Sequence, residues 1–218
     1  MTWQPQKNDV LDELTAEILH NYGKSRAIIA IDGVDGAGKT HFANDLAEAF
    51  KRANHPVLRA SIDDFNRPRA DRQARGADSP EAFYRDKYDY DTLRRVLIDP
   101  FRAGGSGSFV LAAFDAVKDA PIPSKWITAK SDTTLIIEGI FLNRPELRGL
   151  WNYSIWLDVA PEAAAERLLA RDGVEGFTPK HVAAQALYEK EAKPRTTANA
   201  IIDNTDFEHP RRVFADSC

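Results

Sequence analysis

The stretch AIIAIDGVDGAGKTHFANDLAEAF, residues 27–50, decides the fold because its apolar pattern changes halfway along. It begins with the uninterrupted apolar run AIIAI, which is typical of a strand buried on both faces of a parallel sheet. Its second half repeats apolar residues at helical spacing, at Phe42, Leu46, Ala49 and Phe50. The stretch therefore predicts a strand, a glycine-rich loop and a helix.

The loop carries the pattern G-x-x-x-x-G-K-[ST], which runs from Gly33 to Thr40. A helix N-terminus offers free backbone N–H groups, and residues without a Cβ let the backbone close around phosphate oxygens. We therefore predict a phosphate-binding loop over residues 33–40, in which Lys39 reaches the β and γ phosphates and Thr40 holds magnesium. The alternative is a glycine-rich turn that only caps a helix. The predicted nucleotide-binding residues are Gly33, Asp35, Gly36, Ala37, Gly38, Lys39, Thr40 and His41.

Length and composition limit the classes of protein. With 218 residues, 43% of them hydrophobic, the chain can form one core, and we expect a single α/β domain over residues 1–218. The net charge of -4 argues against a strongly basic nucleic-acid binder. No apolar run approaches the roughly 18 residues of a membrane span, and the N-terminus lacks a signal-peptide pattern. We expect a cytoplasmic protein without nucleic-acid or membrane partners.

Apolar runs alternate with helical patterns along the rest of the chain. This alternation predicts a three-layer α/β fold, with a central parallel sheet and helices on both faces. Ligands of such sheets bind beyond the carboxyl ends of the strands, so polar residues at those ends are the candidates for a site. Helices are predicted at 8–22, 90–102, 161–171 and 179–192, and further strands at 56–63, 109–114, 133–139, 153–159 and 200–204.

Two aspartates follow the predicted strand 56–63, in the segment SIDDF. Strand side chains alternate, so Ser61 and Asp63 share one face and Asp64 takes the other. We choose Asp63 as the carboxylate that accepts the proton of an attacking hydroxyl. The alternative is that the aspartate pair only ends the strand by competing for backbone hydrogen bonds.

Glu138 ends the apolar strand of the segment LIIEG. An acidic residue at this position beside a phosphate loop commonly serves the magnesium shell, directly or through water. The alternative is a strand-end carboxylate without a role.

Two arginines, Arg167 and Arg171, stand four residues apart on a predicted helix that is followed by glycines. A short mobile segment at about 172–179 could close over the γ phosphate as a lid, exclude water and neutralise charge with one of these arginines. The alternative is a solvated helix end whose arginines pair with nearby glutamates.

Several motifs together resemble the uridine kinase and phosphoribulokinase family of P-loop kinases. They occur in that family's order and spacing, and the resemblance spans nearly the whole chain. The motifs are GVDGAGKT, SIDDF, DSPEAF at 78–83, IIEGIF ending at Phe141, ERLLARD at 166–172, and KP followed by NAIIDN.

The resemblance implies a P-loop NTPase fold of the nucleoside and nucleotide kinase type, with ATP and Mg2+ as cofactors. It implies transfer of the γ-phosphate to a hydroxyl of a small molecule, with a nucleoside as the first candidate, and it leaves a homo-oligomer open. The acceptor region would be 63–120. The residues assigned by resemblance are Lys39 and Thr40 for ATP and magnesium, Asp63 as base, Glu138 for the metal shell, Arg167 or Arg171 for the lid, and Asp63, Asp78, Phe114 and Asp115 for the substrate.

The sequence departs from uridine kinases in the acceptor region. No histidine follows Phe114 and Asp115 in the segment AFDAVKD, where the family has one at its pyrimidine pocket. The segment NRPRADRQARG supplies arginines that could hold a phosphorylated or carboxylated acceptor, such as ribulose phosphate, pantothenate or glycerate. A solvated loop, balanced by Asp71 and Asp78, is the alternative. These arginines are Arg67, Arg69, Arg72 and Arg75.

Two other classes compete with a kinase. A GTP-binding switch would need a guanine motif, and AKSD at 129–132 lacks the required residues. A non-catalytic ATP-binding regulator would keep the loop but needs neither Asp63 nor Glu138. These two acids favour an enzyme.

Overall fold

The computed structural model describes residues 6–105, 107–173 and 178–214. The strands of these ranges are β1 (Ala27–Gly33), β2 (Val57–Ser61), β3 (Phe114–Asp115), β4 (Ala120–Pro121), β5 (Thr134–Glu138), β6 (Tyr153–Asp158), β7 (Ala200–Asp203) and β8 (Arg211–Val213). The α-helices are α1 (Lys7–Tyr22), α2 (Lys39–Arg52), α3 (Arg69–Arg72), α4 (Pro80–Arg85), α5 (Tyr90–Leu93), α6 (Asp99–Ala103), α7 (Pro161–Asp172), α8 (Pro179–Ala192) and α9 (Pro194–Thr197).

The main sheet has the strand order β2-β5-β1-β6-β7-β8, in which all neighbours are parallel except β7 and β8. Every residue of β1 is buried, as the AIIAI run predicts for a central strand. Glu138 of β5 pairs with Ile31 of β1 on one side and with Ser61 of β2 on the other. The carboxyl ends of these three strands therefore meet at one edge of the sheet, where the loop after β1 begins.

Helices cover both faces of the sheet. On one face, α1 and α2 bury Leu14, Leu46 and Phe50 against the sheet. On the other face, the segment from α4 to α6 and helix α8 pack around a cluster that includes Phe141 and Tyr188. The predicted three-layer α/β fold is confirmed, and its sheet is parallel except for the pair β7 and β8.

The predicted strand at 109–114 is wrong. Phe109 forms only an isolated bridge with Ile127, and Val110 donates its N–H to the carbonyl of Val96 instead of to a strand. Only Phe114 enters a strand, the two-residue β3, which pairs with β4 outside the main sheet. The apolar run reflects burial, since Phe109 and Val110 pack in the core beside the helices that precede them.

Two other predicted elements differ in detail. The strand predicted at 56–63 ends at Ser61, and residues Ile62–Phe65 form a 3-10 turn. The helix predicted at 90–102 is divided into α5, a wider π turn at Arg94–Ile98 and α6. The sequence also gave no indication of β8. Of the predicted lid at about 172–179, residues 174–177 lie outside the described residues.

None of the helices in the described ranges has both the length and the apolar character that crossing a bilayer requires.

Candidate active site

The loop between β1 and α2 has the backbone of a phosphate cradle. Gly36 and Gly38 have φ angles of 79° and 83°, in the left-handed region that favours glycine. A Cβ on Gly36 would lie 2.4 Å from the carbonyl oxygen of Ala164, and one on Gly38 would lie 2.4 Å from the ring of Phe207. Both glycines are therefore required by conformation and by space, and α2 begins directly after them at Lys39.

Lys39 points back over this loop. Its Nζ donates to the carbonyl oxygens of Gly33 and Val34, at 3.1 and 2.8 Å. Thr40 is exposed in the first turn of α2, and the ring of His41 lies 5.5 Å from that of Phe207. The loop, its lysine and the helix N-terminus together fit a triphosphate, because backbone N–H groups and a lysine are the donors that phosphate oxygens need.

Asp63 lies on the 3-10 turn after β2, with its side chain 57% exposed. Its Oδ1 accepts a hydrogen bond from the hydroxyl of Tyr88 at 2.8 Å and lies 3.1 Å from Nζ of Lys87. Burial of the carboxyl acts to raise the pKa of Asp63, but Lys87, Tyr88 and the charge of Lys39 outweigh it and lower that pKa. Asp63 is therefore a carboxylate at neutral pH.

Glu138 is buried, with 6% of its surface exposed, at the end of β5. Burial raises the pKa of Glu138, and the charge of Lys39 and the hydroxyl of Ser61 oppose this rise. The charge of Asp63 also acts on Glu138. Lys39, Asp63 and Glu138 thus form one electrostatic group at the carboxyl edge of the sheet.

The acidic residues at this edge suit a magnesium ion that is held mainly by the phosphates of a nucleotide. Within the described ranges, no three histidine, cysteine, aspartate or glutamate side chains converge on a metal site. Mg2+ commonly keeps several waters and binds one or two carboxylates together with substrate phosphates, so a full protein cage is not required. Thr40 and Glu138 are the residues that would hold it, directly or through water.

Arg167 of α7 lies against the phosphate loop. Its guanidinium donates to the carbonyl oxygens of Asn204 and Thr205, at 3.0 and 2.7 Å, and to that of Gly36 at 3.3 Å. It also covers the ring of Phe207, at 3.7 Å from the ring centroid. Arg167 therefore ties the loop to the segment after β7.

Arg171 lies one turn further along α7, with its side chain 64% exposed. Its guanidinium binds both carboxylate oxygens of Asp172, at 2.8 and 2.6 Å. This hydrogen-bonded pair raises the pKa of Arg171, and the charges of Asp35 and Asp63 add to the effect. Of the two arginines proposed for the lid, Arg171 is the one within electrostatic reach of Asp63.

The predicted substrate residues are in different environments. Asp78 is exposed, and its carboxylate makes no hydrogen bond or ion pair with any described residue. Phe114 is buried, and Asp115 accepts the N–H groups of Val117 and Lys118, each at 3.0 Å. Asp115 therefore stabilises its own turn, although its charge also acts on Asp64 beside Asp63.

The four arginines of the segment 67–75 divide into two pairs. Arg72 and Arg75 form ion pairs with Asp119 and Asp86, not with Asp71 or Asp78. Arg67 and Arg69 form no ion pair with any described residue. The backbone N–H of Arg67 donates to the carbonyl of Lys87 at 3.0 Å, which brings the two segments together beside Asp63.

Lys87 and Tyr88, the hydrogen-bonding partners of Asp63, were missed by sequence reasoning. They lie in the segment YRDKYDYDTL, whose mixture of charges and aromatic rings has no strand or helix period. An isolated bridge between Asn66 and Tyr88 brings that segment to the 3-10 turn. Sequence reasoning also did not single out Phe207, which Arg167 covers, or Asn204, whose Nδ2 donates to the carbonyl of Ala37 at 2.8 Å.

A cavity of about 620 Å³ opens beside the start of the phosphate loop. It lies between α7 and α8 over the end of β6, with Val34, Ala164, Leu168 and Trp156 among its apolar walls. The pair formed by Asp158 and Arg195 borders it.

The fold and the loop between β1 and α2 are those of P-loop kinases. The model of the phosphoribulokinase/uridine kinase family matches residues 28–207, so the chain belongs to this family. It is therefore a P-loop kinase of the uridine kinase and phosphoribulokinase class.

Solved structures share this fold at low sequence identity. A protein described as a possible uridine kinase from Bacillus stearothermophilus superimposes with a TM-score of 0.71 at 23% identity, covering 88% of this chain and 97% of that one. D-glycerate 3-kinase from Cryptococcus neoformans var. grubii gives a TM-score of 0.58 at 9% identity, covering 94% of this chain and 97% of that one. A search of curated proteins found no match.

Proposed function

We propose that the protein transfers the γ-phosphate of ATP to a hydroxyl group of a small molecule. The observation that carries this proposal is the position of Asp63, a partly exposed carboxylate that shares an electrostatic group with Lys39 of the phosphate loop and with Glu138. Pure nucleotide binding needs no exposed carboxylate that interacts with the lysine of the loop. Phosphoryl transfer does, because the attacking hydroxyl must be oriented.

In this proposal Asp63 orients the acceptor hydroxyl and receives its proton. Its lowered pKa keeps it ionised, and weak basicity is no obstacle because phosphoryl transfer passes through a loose transition state. Lys39 binds the β and γ phosphates, and Thr40 and Glu138 hold the magnesium ion. That ion, when bound, neutralises negative charge on the phosphates.

A nucleoside is the first candidate for the acceptor. The carboxylate of Asp78 is exposed and free of partners among the described residues, which suits it to accept hydrogen bonds from the two hydroxyls of a ribose. The resemblance of the DSPEAF segment to the ribose-binding segment of uridine kinases supports the same role.

An anionic acceptor, such as a sugar phosphate or a hydroxy acid, is the second candidate. Lys87 lies beside Asp63 with 18% of its side chain exposed, and Arg67 is adjacent to it through the backbone. A phosphate or carboxylate on the acceptor could bind these two cations while its hydroxyl faced Asp63.

The experiment that tests the proposal is ADP release from MgATP across a panel of nucleosides, pantothenate, ribulose 5-phosphate, glycerate and simple sugars. Each acceptor is assayed with the wild-type protein and with the Lys87→Met variant. A neutral nucleoside should keep its KM in the variant. An anionic acceptor should bind roughly 10-fold or more weakly, because the variant lacks the cation of Lys87. ATP binding without release in the presence of any acceptor would contradict the proposal and favour a regulator.

A further inference from the structure

Asp32, the last residue before the first glycine of the phosphate loop, is fully buried. Its Oδ1 accepts the N–H of Gly33 at 2.8 Å. Its Oδ2 accepts both the backbone N–H and the side-chain Nδ2 of Asn143, each at 2.9 Å, and the hydroxyl of Tyr188. Four donors therefore converge on one buried carboxylate that has no part in the chemistry proposed above.

These donors come from three separate parts of the site. Gly33 begins the phosphate loop, Asn143 lies in the segment that follows Glu138 and β5, and Tyr188 belongs to α8. The backbone N–H of Asn143 also donates to the Tyr188 hydroxyl at 2.9 Å, so the three parts form one closed network. Burial raises the pKa of Asp32, and these donors act against that rise.

A buried acid is costly to a fold, and this position would be cheaper as an apolar residue if only packing mattered. The sheet and the surrounding aromatic cluster already supply packing, since Tyr188 contacts the rings of Tyr84, Phe141 and Trp156. The carboxylate instead fixes relative positions, because its hydrogen bonds hold the start of the loop in place relative to α8 and to the segment after Glu138.

Helix α8 also borders the acceptor region. Near its N-terminus, Lys180 donates to the carbonyl of Ala77 at 3.0 Å, and the ring of His181 lies 4.4 Å from that of Phe83. The face of α8 that carries His181, Val182 and Gln185 also lines the 620 Å³ cavity, which lies between this helix and α7. The Tyr188 hydroxyl is the polar contact that connects α8 to the phosphate loop through Asp32.

We propose that Asp32 is a positioning residue that transmits the state of the phosphate loop to α8 through Tyr188. Nucleotide binding at the loop then fixes α8, and with it the wall of the acceptor region that Lys180 and His181 provide. This inference rests on the proposed function in one respect, the binding of nucleotide to the loop.

The test compares Tyr188→Phe with Tyr84→Phe. The first substitution removes the hydroxyl that binds Asp32 and keeps the ring. The second is a matched control, because the Tyr84 ring belongs to the same cluster and its hydroxyl interacts with Glu191 of α8 instead of with Asp32. Amide hydrogen exchange of residues 179–192 is measured with and without a non-hydrolysable ATP analogue and magnesium, and the affinity for the analogue is measured separately.

In the wild-type protein and in Tyr84→Phe, the analogue should slow exchange in α8 several-fold. In Tyr188→Phe, the analogue should still bind with an affinity within about 3-fold of wild type, but the nucleotide-dependent slowing should be lost. A merely structural role predicts faster exchange with the nucleotide-dependent difference preserved, and that result would overturn the inference. Failure of the wild-type protein to bind the analogue would instead overturn the proposed function, and the inference with it.

Discussion

Nζ of Lys87 lies 3.1 Å from Oδ1 of Asp63, and the hydroxyl of Tyr88 binds the same oxygen at 2.8 Å. No described residue donates to the other carboxylate oxygen, Oδ2. One oxygen is thus held by the protein, and in the proposed function the other receives the acceptor hydroxyl. This division of the carboxylate lets the fold orient the group and leave it reactive at the same time.

The first prediction concerns Lys87→Met. Loss of the ammonium group removes one of the interactions that lower the pKa of Asp63, so the pKa should rise. A carboxylate base loses activity as the pH falls through its pKa. Because the pKa of Asp63 is higher in the variant, the acid limb of the rate profile should move to higher pH. The measurement is kcat/KM for the acceptor as a function of pH.

Lys51→Met is the control for this profile. Lys51 pairs with Glu48 on the exposed surface of α2, so its loss should leave the acid limb in place. An acid limb that is the same in Lys87→Met and in wild type would exclude Lys87 as the residue that sets the protonation of Asp63.

The second prediction separates the two arginines of α7. Arg171→Ala should reduce kcat, by up to roughly 10³-fold if the residue acts as an arginine finger, with a smaller effect on ATP binding. The reason is that Arg171 is exposed and within electrostatic reach of Asp63. Steady-state kinetics with saturating acceptor give the split between kcat and KM. Unchanged turnover would transfer the role to Arg167 or to a partner subunit.

The third prediction is the opposite pattern for Arg167→Ala. This change removes three hydrogen bonds to carbonyl oxygens that join the phosphate loop to the segment after β7, and it uncovers Phe207. We expect a higher KM for ATP and a lower melting temperature, with a smaller change in kcat. Thermal unfolding with and without MgATP checks this, and a pure loss of kcat at normal stability would contradict it.

The fourth prediction concerns the pH dependence of stability. Glu17 of α1 accepts hydrogen bonds from Arg212 of β8 and, at 2.6 Å, from Tyr153 of β6. The bond from Arg212 is the main cause that lowers the pKa of Glu17 below its usual value, against the effect of burial. The stabilisation is therefore present above the pKa of the unfolded chain and is lost as the pH falls through the lower pKa of the folded chain.

Glu17→Gln should therefore reduce the free energy of unfolding by roughly 1 kcal/mol at pH 7, with a difference from wild type that shrinks as the pH falls below about 4. Glu48→Gln, at an exposed ion pair, is the control and should change stability little at either pH. Urea unfolding at a series of pH values measures both variants. A Glu17→Gln deficit that is constant down to acid pH would refute this assignment.

The central part of the fold could be predicted because its signals are local. The change of period across residues 27–50 and the glycine spacing predicted β1, the phosphate loop and α2. Glu138 could be chosen as a candidate site residue because it ends an apolar strand. Its pairing with Ile31 and Ser61 then determines where it lies in the sheet. These signals need no knowledge of distant parts of the chain.

Other features depend on contacts between segments that lack a period. Asp63 was chosen by strand alternation, but the strand ends at Ser61 and a 3-10 turn determines where Asp63 points. Lys87 reaches Asp63 because backbone bonds join two irregular segments, which no spacing along the sequence reveals. The strand at 109–114 was predicted wrongly because an apolar run reports burial and does not distinguish a strand from a buried irregular segment.

The central claim is that Asp63 orients the acceptor hydroxyl at a loop that binds MgATP. The most direct test measures acceptor-dependent ADP formation by Asp63→Asn, with the best acceptor of the panel. Nucleotide affinity is measured on the same protein, and Lys39→Ala serves as the variant defective in nucleotide binding. We expect Asp63→Asn to fold, to bind ATP nearly as wild type does and to lose transfer, whereas Lys39→Ala should lose both nucleotide affinity and transfer. Wild-type rates from a folded Asp63→Asn protein would contradict the claim.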